Sequence, residues 1–337
     1  MTNSTYCPLM FNQLMVDFKG LVSPCCNYNL DAPISEYENR IASAREEMLA
    51  GVKVAGCKRC WDDEAQGLES LRQVSVKAWQ NLNGYQLLDI RINNSCNLAC
   101  TMCNSHASSL WAKLSKDGKL HRISKQDQQL LLEMCSDMVK VSVQGGEPFY
   151  GNDFIQFIDA MPNKSNIELE IFTNLVTAKP NVIARWKQEF KHVMIIASVD
   201  GTEEVFEDIR WPAKWSKLER RMSQLYPMLG QALSFNFTVQ NLNILNIKRF
   251  VDWRNSRYPK SPINFSVLEY PRSLHFTVLN EGERQLAIGT LLATKGTPTE
   301  NARLKELLQL LAPADQSVML RQKQAYLRWV RDIRTSS

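Results

Sequence analysis

From residue 87 onward the chain alternates short apolar runs of strand character with longer runs of helical periodicity. The apolar runs fall at 87–92, 138–144, 167–173, 193–199, 233–240 and 263–268, separated by helical stretches such as 125–135, 152–161 and 181–190. Apolar strands joined by helical crossovers pair in parallel and are covered by helices. The pattern therefore predicts an α/β fold. Parallel barrels collect their chemistry at the C-terminal ends of the strands, so those ends are where functional residues are expected.

The first end carries Cys96, Cys100 and Cys103 in a C-x3-C-x2-C run. Three thiolates so close can bind three corners of an iron–sulfur cube and leave one iron open, whereas electron-carrier clusters use four cysteines. Zinc is the competing reading, with His106 as a fourth ligand. The second end reads Gln144-Gly145-Gly146-Glu147-Pro148. Two glycines at a strand end let the backbone approach a ligand closely, and Glu147 adds a carboxylate suited to an amino group. Alone, such a segment could be a loop with a rigid exit.

Together, the cysteine loop and the Gly-Gly-Glu-Pro edge one strand and one helix later resemble the radical S-adenosylmethionine superfamily. The resemblance implies a [4Fe-4S] cluster on Cys96, Cys100 and Cys103, with S-adenosylmethionine on its open iron. It also implies that Gly145, Gly146, Glu147 and Pro148 grip the methionine amino group. The six strand–helix units then match the partial (β/α)6 TIM-type barrel of that superfamily. One departure is visible: the family often has an aromatic residue before the third cysteine, and here it is Met102.

Three further strand ends are polar: Thr173-Asn174, Ser198-Val199-Asp200-Gly201 and Gln240-Asn241. The resemblance implies that Asn174, Ser198 and Asp200 contact the ribose or carboxylate of the cofactor. The plainer reading is that they cap turns. Arg210 follows the fourth strand and suits the cofactor carboxylate, because a guanidinium pairs with it in a bidentate manner.

Residues 1–86 hold a second cysteine set: Cys7, Cys25, Cys57 and Cys60. Residues 10–18 and 21–22 read as a hairpin turning at Lys19-Gly20, which brings Cys7 and Cys25 to one end. Ser35 and Glu38 read as a capping box opening a helix that stops near Gly51 and returns Cys57 and Cys60 to the first pair. The Cys7–Gly20–Cys25 spacing resembles the twitch and SPASM modules that hold auxiliary [4Fe-4S] clusters, here placed before the barrel. Cys26 adjoins Cys25 as an alternative ligand, and a four-cysteine zinc ribbon is the alternative site. Cys135 reads as plain core on a helical face.

Organisation is expected as an auxiliary-cluster module at 1–80, a barrel at 81–280 and a helical C-terminal extension at 281–337. The extension ends in Arg321, Lys323, Arg328, Arg331 and Arg334; such a helix reads as a solvated face, or as a contact for an acidic peptide or RNA. Trp211, Trp215 and Trp329 read as core or helix-packing residues. The 337 residues include nine cysteines, some in C-x2-C spacings, which point to a reducing compartment rather than a disulfide framework. A short polar N-terminus and the absence of any apolar run near the ~20 residues of a membrane span give a cytoplasmic expectation, with no membrane partner. A formal charge of +5 does not demand nucleic acid, and none is expected as partner.

What the resemblance implies about activity is reductive cleavage of S-adenosylmethionine to a 5′-deoxyadenosyl radical that abstracts hydrogen from a substrate. It also implies a flavodoxin- or ferredoxin-type reductant and two [4Fe-4S] clusters. The expected substrate is a peptide or protein side chain, as for a peptide maturase; a sugar, nucleoside or amino acid is the alternative. A zinc-stabilised binding protein is the non-enzyme reading.

Overall fold

The computed structural model describes residues 4–28, 30–79, 81–134, 136–311 and 316–335; the expectation for Cys135 lies outside them. The chain is mixed α/β and divides into two compact units. One comprises Met1–Asn94, His121–Ile171 and Arg185–Val193; the other comprises Ser95–Leu120, Phe172–Ala184 and Met194–Ser337.

All six expected strands form. In the first unit lie β4 (Leu87–Ile90), β5 (Lys140–Val143) and, as far as Ile171, β6 (Glu168–Thr173), paired in parallel with Leu88 opposite Val141 and Val141 opposite Leu169. In the second lie β7 (His192–Ser198) from Met194 onward, β8 (Leu233–Val239) and β9 (Ile263–Val267), also parallel, with Ile195 opposite Leu233 and Phe235 opposite Ile263.

The N-terminal hairpin is present as β1 (Gln13–Val16) and β2 (Leu21–Ser23), antiparallel with Val16 opposite Val22. Its turn is closed by the Asp17 carboxylate, which accepts from Lys19 N at 2.8 Å and Leu21 N at 3.0 Å. Gly20 follows at φ +79°, where a side chain would be strained. The short β3 (Ala32–Pro33) pairs with β2, and β1 pairs in parallel with β4, extending the sheet of this unit. Two local expectations differ. Leu9–Asn12 is a helical turn rather than strand. The Ser35/Glu38 box does not form: a 3-10 turn, Ile34–Glu36, leads into the helix Tyr37–Leu49, and Glu38 binds Arg45 and Tyr85 instead. Glu38 has thus found charge-assisted partners stronger than a backbone N–H.

Strand faces alternate more than the apolar runs suggest. In β8, Leu233, Phe235, Phe237 and Val239 are buried while Ser234, Asn236 and Thr238 are partly open. Phe235 and Phe237 pack on Phe250 of the helix Ile247–Arg257, with ring centroids 5.7 and 4.9 Å apart. One face is thus apolar against helices and the other is polar, as period-two geometry requires. In the first unit the polar face carries Lys140 and Ser142, which bind Glu170 at 3.0 and 2.9 Å. Among the described residues no helix is long and apolar enough to cross a membrane.

Candidate cluster and cofactor sites

In the second unit the three-cysteine loop is held through its backbone. Ala99 N donates to Trp211 O at 2.8 Å and Thr101 N to Ile209 O at 2.7 Å. The Trp111 indole donates to Cys100 O at 2.8 Å, and the Ser108 hydroxyl to Leu98 O at 2.6 Å. Ser108 also caps the helix Ser109–Ser115 by accepting from Trp111 N. Cys103 N closes a turn onto Cys100 O at 2.9 Å. These bonds fix the peptide groups, while Cys96 Sγ accepts from Leu98 N at 3.4 Å and Cys103 Sγ lies 3.8 Å from Asn104 O. Cys96 and Cys100 are buried and Cys103 is half-buried. Burial, and then the neighbouring Cys100, push the Cys103 thiol up to about 12. His106, the candidate fourth zinc ligand, is exposed.

Against this loop stands an Arg–Asp pair. Arg210 donates to Asp200 Oδ2 at 2.6 Å; the Arg210 side chain is 11% exposed and that of Asp200 0%. Asp200 Oδ1 accepts from Thr238 N at 2.7 Å, and its main-chain carbonyl from Asn243 Nδ2 at 3.2 Å. Burial opposes the Arg210 charge, but Asp200 and Cys100 outweigh it and hold the guanidinium above its ordinary range. Burial raises the Cys100 thiol while Arg210 pulls it down. The pair is therefore oriented by the end of β7 and the edge of β8 and faces a cluster-loop thiol. Asn174 is buried and donates to Asn97 Oδ1, inside the cysteine loop, at 3.0 Å. Ser198 is half-buried at the end of β7.

Gln240, just past β8, reads in the sequence only as a polar strand end. It is fully buried, and neither its amide nitrogen nor its oxygen has a hydrogen-bond partner among the described residues; Asn241 Oδ1 is in the same position. A buried unpaired amide costs about 1–3 kcal/mol per group, which makes Gln240 a candidate ligand contact; Asn241 Nδ2 is held by Ser273 O and Val278 O. The strand-end Gln-Asn pair was the only sequence signal for them.

In the first unit, Gly145 and Gly146 follow β5 at φ +77° and +51°. A Cβ on Gly145 would lie 2.8 Å from Arg91 Cβ, so only glycine fits there. Glu147 is buried, with Oε1 accepting from Phe149 N at 3.2 Å, and Pro148 is buried beside it.

The same unit brings the second cysteine set together. Cys7, Cys25, Cys57 and Cys60 line one cavity, with Leu9, Met10 and Leu71 as apolar wall. Burial pushes Cys7 up to about 11 and Cys25 and Cys57 up to about 12, with smaller contributions from the other thiols of the set. Asn27 Nδ2 lies 3.7 Å from Cys60 Sγ. Arg72, paired with Glu64 at 2.7 Å, lines the cavity and carries a positive charge to Cys7 and Cys57. Cys26 is exposed and does not line the cavity. Among the described residues no three His, Cys, Asp or Glu side chains are grouped to hold a single metal ion. Four thiols around one shared space are nonetheless a donor set that fits a [4Fe-4S] cluster.

No protein-family model matches the chain, and no curated protein does. Among solved structures, native anSMEcpe with bound AdoMet aligns with a TM-score of 0.47 at 15% identity, covering 61% of this chain and 59% of that one. The same protein with bound AdoMet and Kp18Cys peptide aligns with a TM-score of 0.45 at 15% identity over 61% of this chain and 58% of that one. Methylornithine synthase (PylB) aligns with a TM-score of 0.40 at 10% identity, covering 58% of this chain and 57% of that one. The match thus spans less than two thirds of the length of each.

Proposed function

We propose that this chain is a radical S-adenosylmethionine enzyme. The observation that carries the reading is the cysteine loop itself: its backbone is tied to Trp211, Ile209 and Trp111, and the buried Arg210–Asp200 pair faces Cys100. When bound, a [4Fe-4S] cluster with S-adenosylmethionine supplies one-electron cleavage to methionine and a 5′-deoxyadenosyl radical. Cys96, Cys100 and Cys103 would hold that cluster. Arg210, oriented by Asp200, offers a fixed cation to the cofactor carboxylate. Gly145 and Gly146 offer close backbone approach, and Glu147 an acceptor for the amino group. Gln240 presents an amide with both a donor and an acceptor, and Asn174 and Ser198 lie at neighbouring strand ends.

Cys7, Cys25, Cys57 and Cys60 would hold the auxiliary cluster, so that the protein carries two. The four-thiol set closes that site, which suits electron transfer or structure better than direct binding of substrate. The superfamily's enzymes with auxiliary clusters favour a peptide or protein side chain as substrate. The test is metal analysis and turnover of the anaerobically reconstituted protein. Iron and sulfide near two clusters and formation of 5′-deoxyadenosine under dithionite are expected. Stoichiometric zinc with negligible iron overturns the reading.

A further inference from the structure

The C-terminal helix, Ser317–Thr335, has two unlike faces, both within the second unit. Its inner face grips the cysteine loop. The Tyr326 hydroxyl donates to Thr101 O at 2.7 Å, and Arg334 Nη2 donates to Ala99 O at 2.6 Å and to Thr101 Oγ1 at 3.1 Å. Trp329 stacks on the buried Trp111, ring centroids 5.5 Å apart and 4° from parallel. Cys103, the least buried of the three thiols, opens to a surface cleft of about 350 Å³ that it shares with Tyr326 and Trp329.

The outer face is cationic. Arg321, Arg328 and Arg331 are exposed, and their side chains have no ion-pair or hydrogen-bond partner among the described residues. At seven and ten residues apart they share one side of the helix. Within the helix, five basic residues face one acidic residue, Asp332.

We infer that this outer face is the docking surface for an acidic protein that delivers one electron to the cluster on Cys96, Cys100 and Cys103. The inference rests on the function proposed above, which requires an electron from outside the chain. The carrier, a low-potential flavin or iron–sulfur protein, loses one electron and the cluster gains it; no bond is made or broken. Charge complementarity selects an acidic partner and speeds encounter, and the other face of the same helix carries Tyr326 and Trp329, which line the cleft with Cys103.

The test uses the full-length, anaerobically reconstituted chain and the triple variant R321E/R328E/R331E, with reduced flavodoxin as the probe. Two measurements are made: affinity by calorimetry at about 50 and about 200 mM salt, and 5′-deoxyadenosine formation driven either by flavodoxin or by dithionite. The wild type should bind more weakly at high salt. The variant should bind at least about tenfold more weakly at low salt and lose its flavodoxin-driven rate, while its dithionite-driven rate stays within about twofold. Unchanged flavodoxin affinity in a variant that still turns over with dithionite overturns the inference. So does binding of RNA or anionic vesicles that the variant loses while flavodoxin binds neither protein. If neither protein cleaves the cofactor with dithionite, the proposed function fails, and the affinity measurement still decides the surface. The neutral triple variant R321Q/R328Q/R331Q gives the same readout without added repulsion should the first fold poorly.

Discussion

At the scale of single residues, the informative cases are those where chemistry and burial disagree. Arg210 and Asp200 are both buried ions, and each is tolerated because the other is there; Asp200 also satisfies Thr238 N. Removing one partner of such a pair strands the other. Asp200→Asn is accordingly expected to release Arg210 from its orientation and weaken S-adenosylmethionine binding about tenfold, roughly 1.4 kcal/mol, while iron content stays at the wild-type level. Equilibrium binding alongside iron analysis checks both halves. Cys25 and Cys26 are adjacent in sequence, yet only Cys25 lines the four-thiol cavity. Cys25→Ala should remove the iron of one cluster and Cys26→Ala should leave the count unchanged; the reverse order in iron and sulfide assays means that the neighbour is the ligand. Gln240→Leu should keep or raise the melting temperature of the apoprotein, because it deletes two unpaired buried groups. The same change should weaken binding of the cofactor or the substrate. A large loss of apoprotein stability would mark Gln240 as a purely structural residue.

At the scale of elements, helices are fixed to the scaffold by a few buried polar contacts. Arg254 of the helix Ile247–Arg257 and Glu300 of the helix Pro298–Leu310 form an ion pair with both side chains 2% exposed. Glu300 also accepts from Ile263 N at the start of β9 at 3.0 Å and completes the capping box with Thr297. One carboxylate therefore joins a helix start, a second helix and a strand. Glu300→Gln should destabilise the protein by about 3–5 kcal/mol, the usual cost of stranding a buried ion, measured by denaturant unfolding. The C-terminal helix is held more lightly. Tyr326→Phe removes one hydrogen bond to Thr101 O and should cost only about 1 kcal/mol, with faster amide exchange in 96–103 as its local signature.

For the whole molecule, the two units each carry one cysteine set: four thiols in the first and three in the second. Replacing Cys96, Cys100 and Cys103 together by Ala should remove one cluster and leave the other intact, seen as iron and sulfide falling to about half, since each set closes on its own donors. Loss of all iron would mean that the auxiliary set does not assemble independently.

The sequence by itself determined the order and kind of the elements from residue 87 onward, because period-two and period-3.6 patterns are local properties of side chains. It also marked the candidate donors and the tight turns, since cysteine spacing and glycine placement are written in the chain: Gly145 sits where a Cβ would strike Arg91, and the N-terminal turn is legible as Lys19-Gly20. Tertiary structure alone decided the rest. Ser35 and Glu38 satisfy the capping-box pattern, yet Arg45 and Tyr85 take the carboxylate because they are near in space. The basic tail reads as a solvated face, and Arg334 instead turns inward to the carbonyl of Ala99, 235 residues away along the chain. Gln240 becomes conspicuous only once it is buried without a partner. In each case the deciding quantity is what the fold brings against a polar group: charged partners for the exposed Glu38, and desolvation without a partner for Gln240.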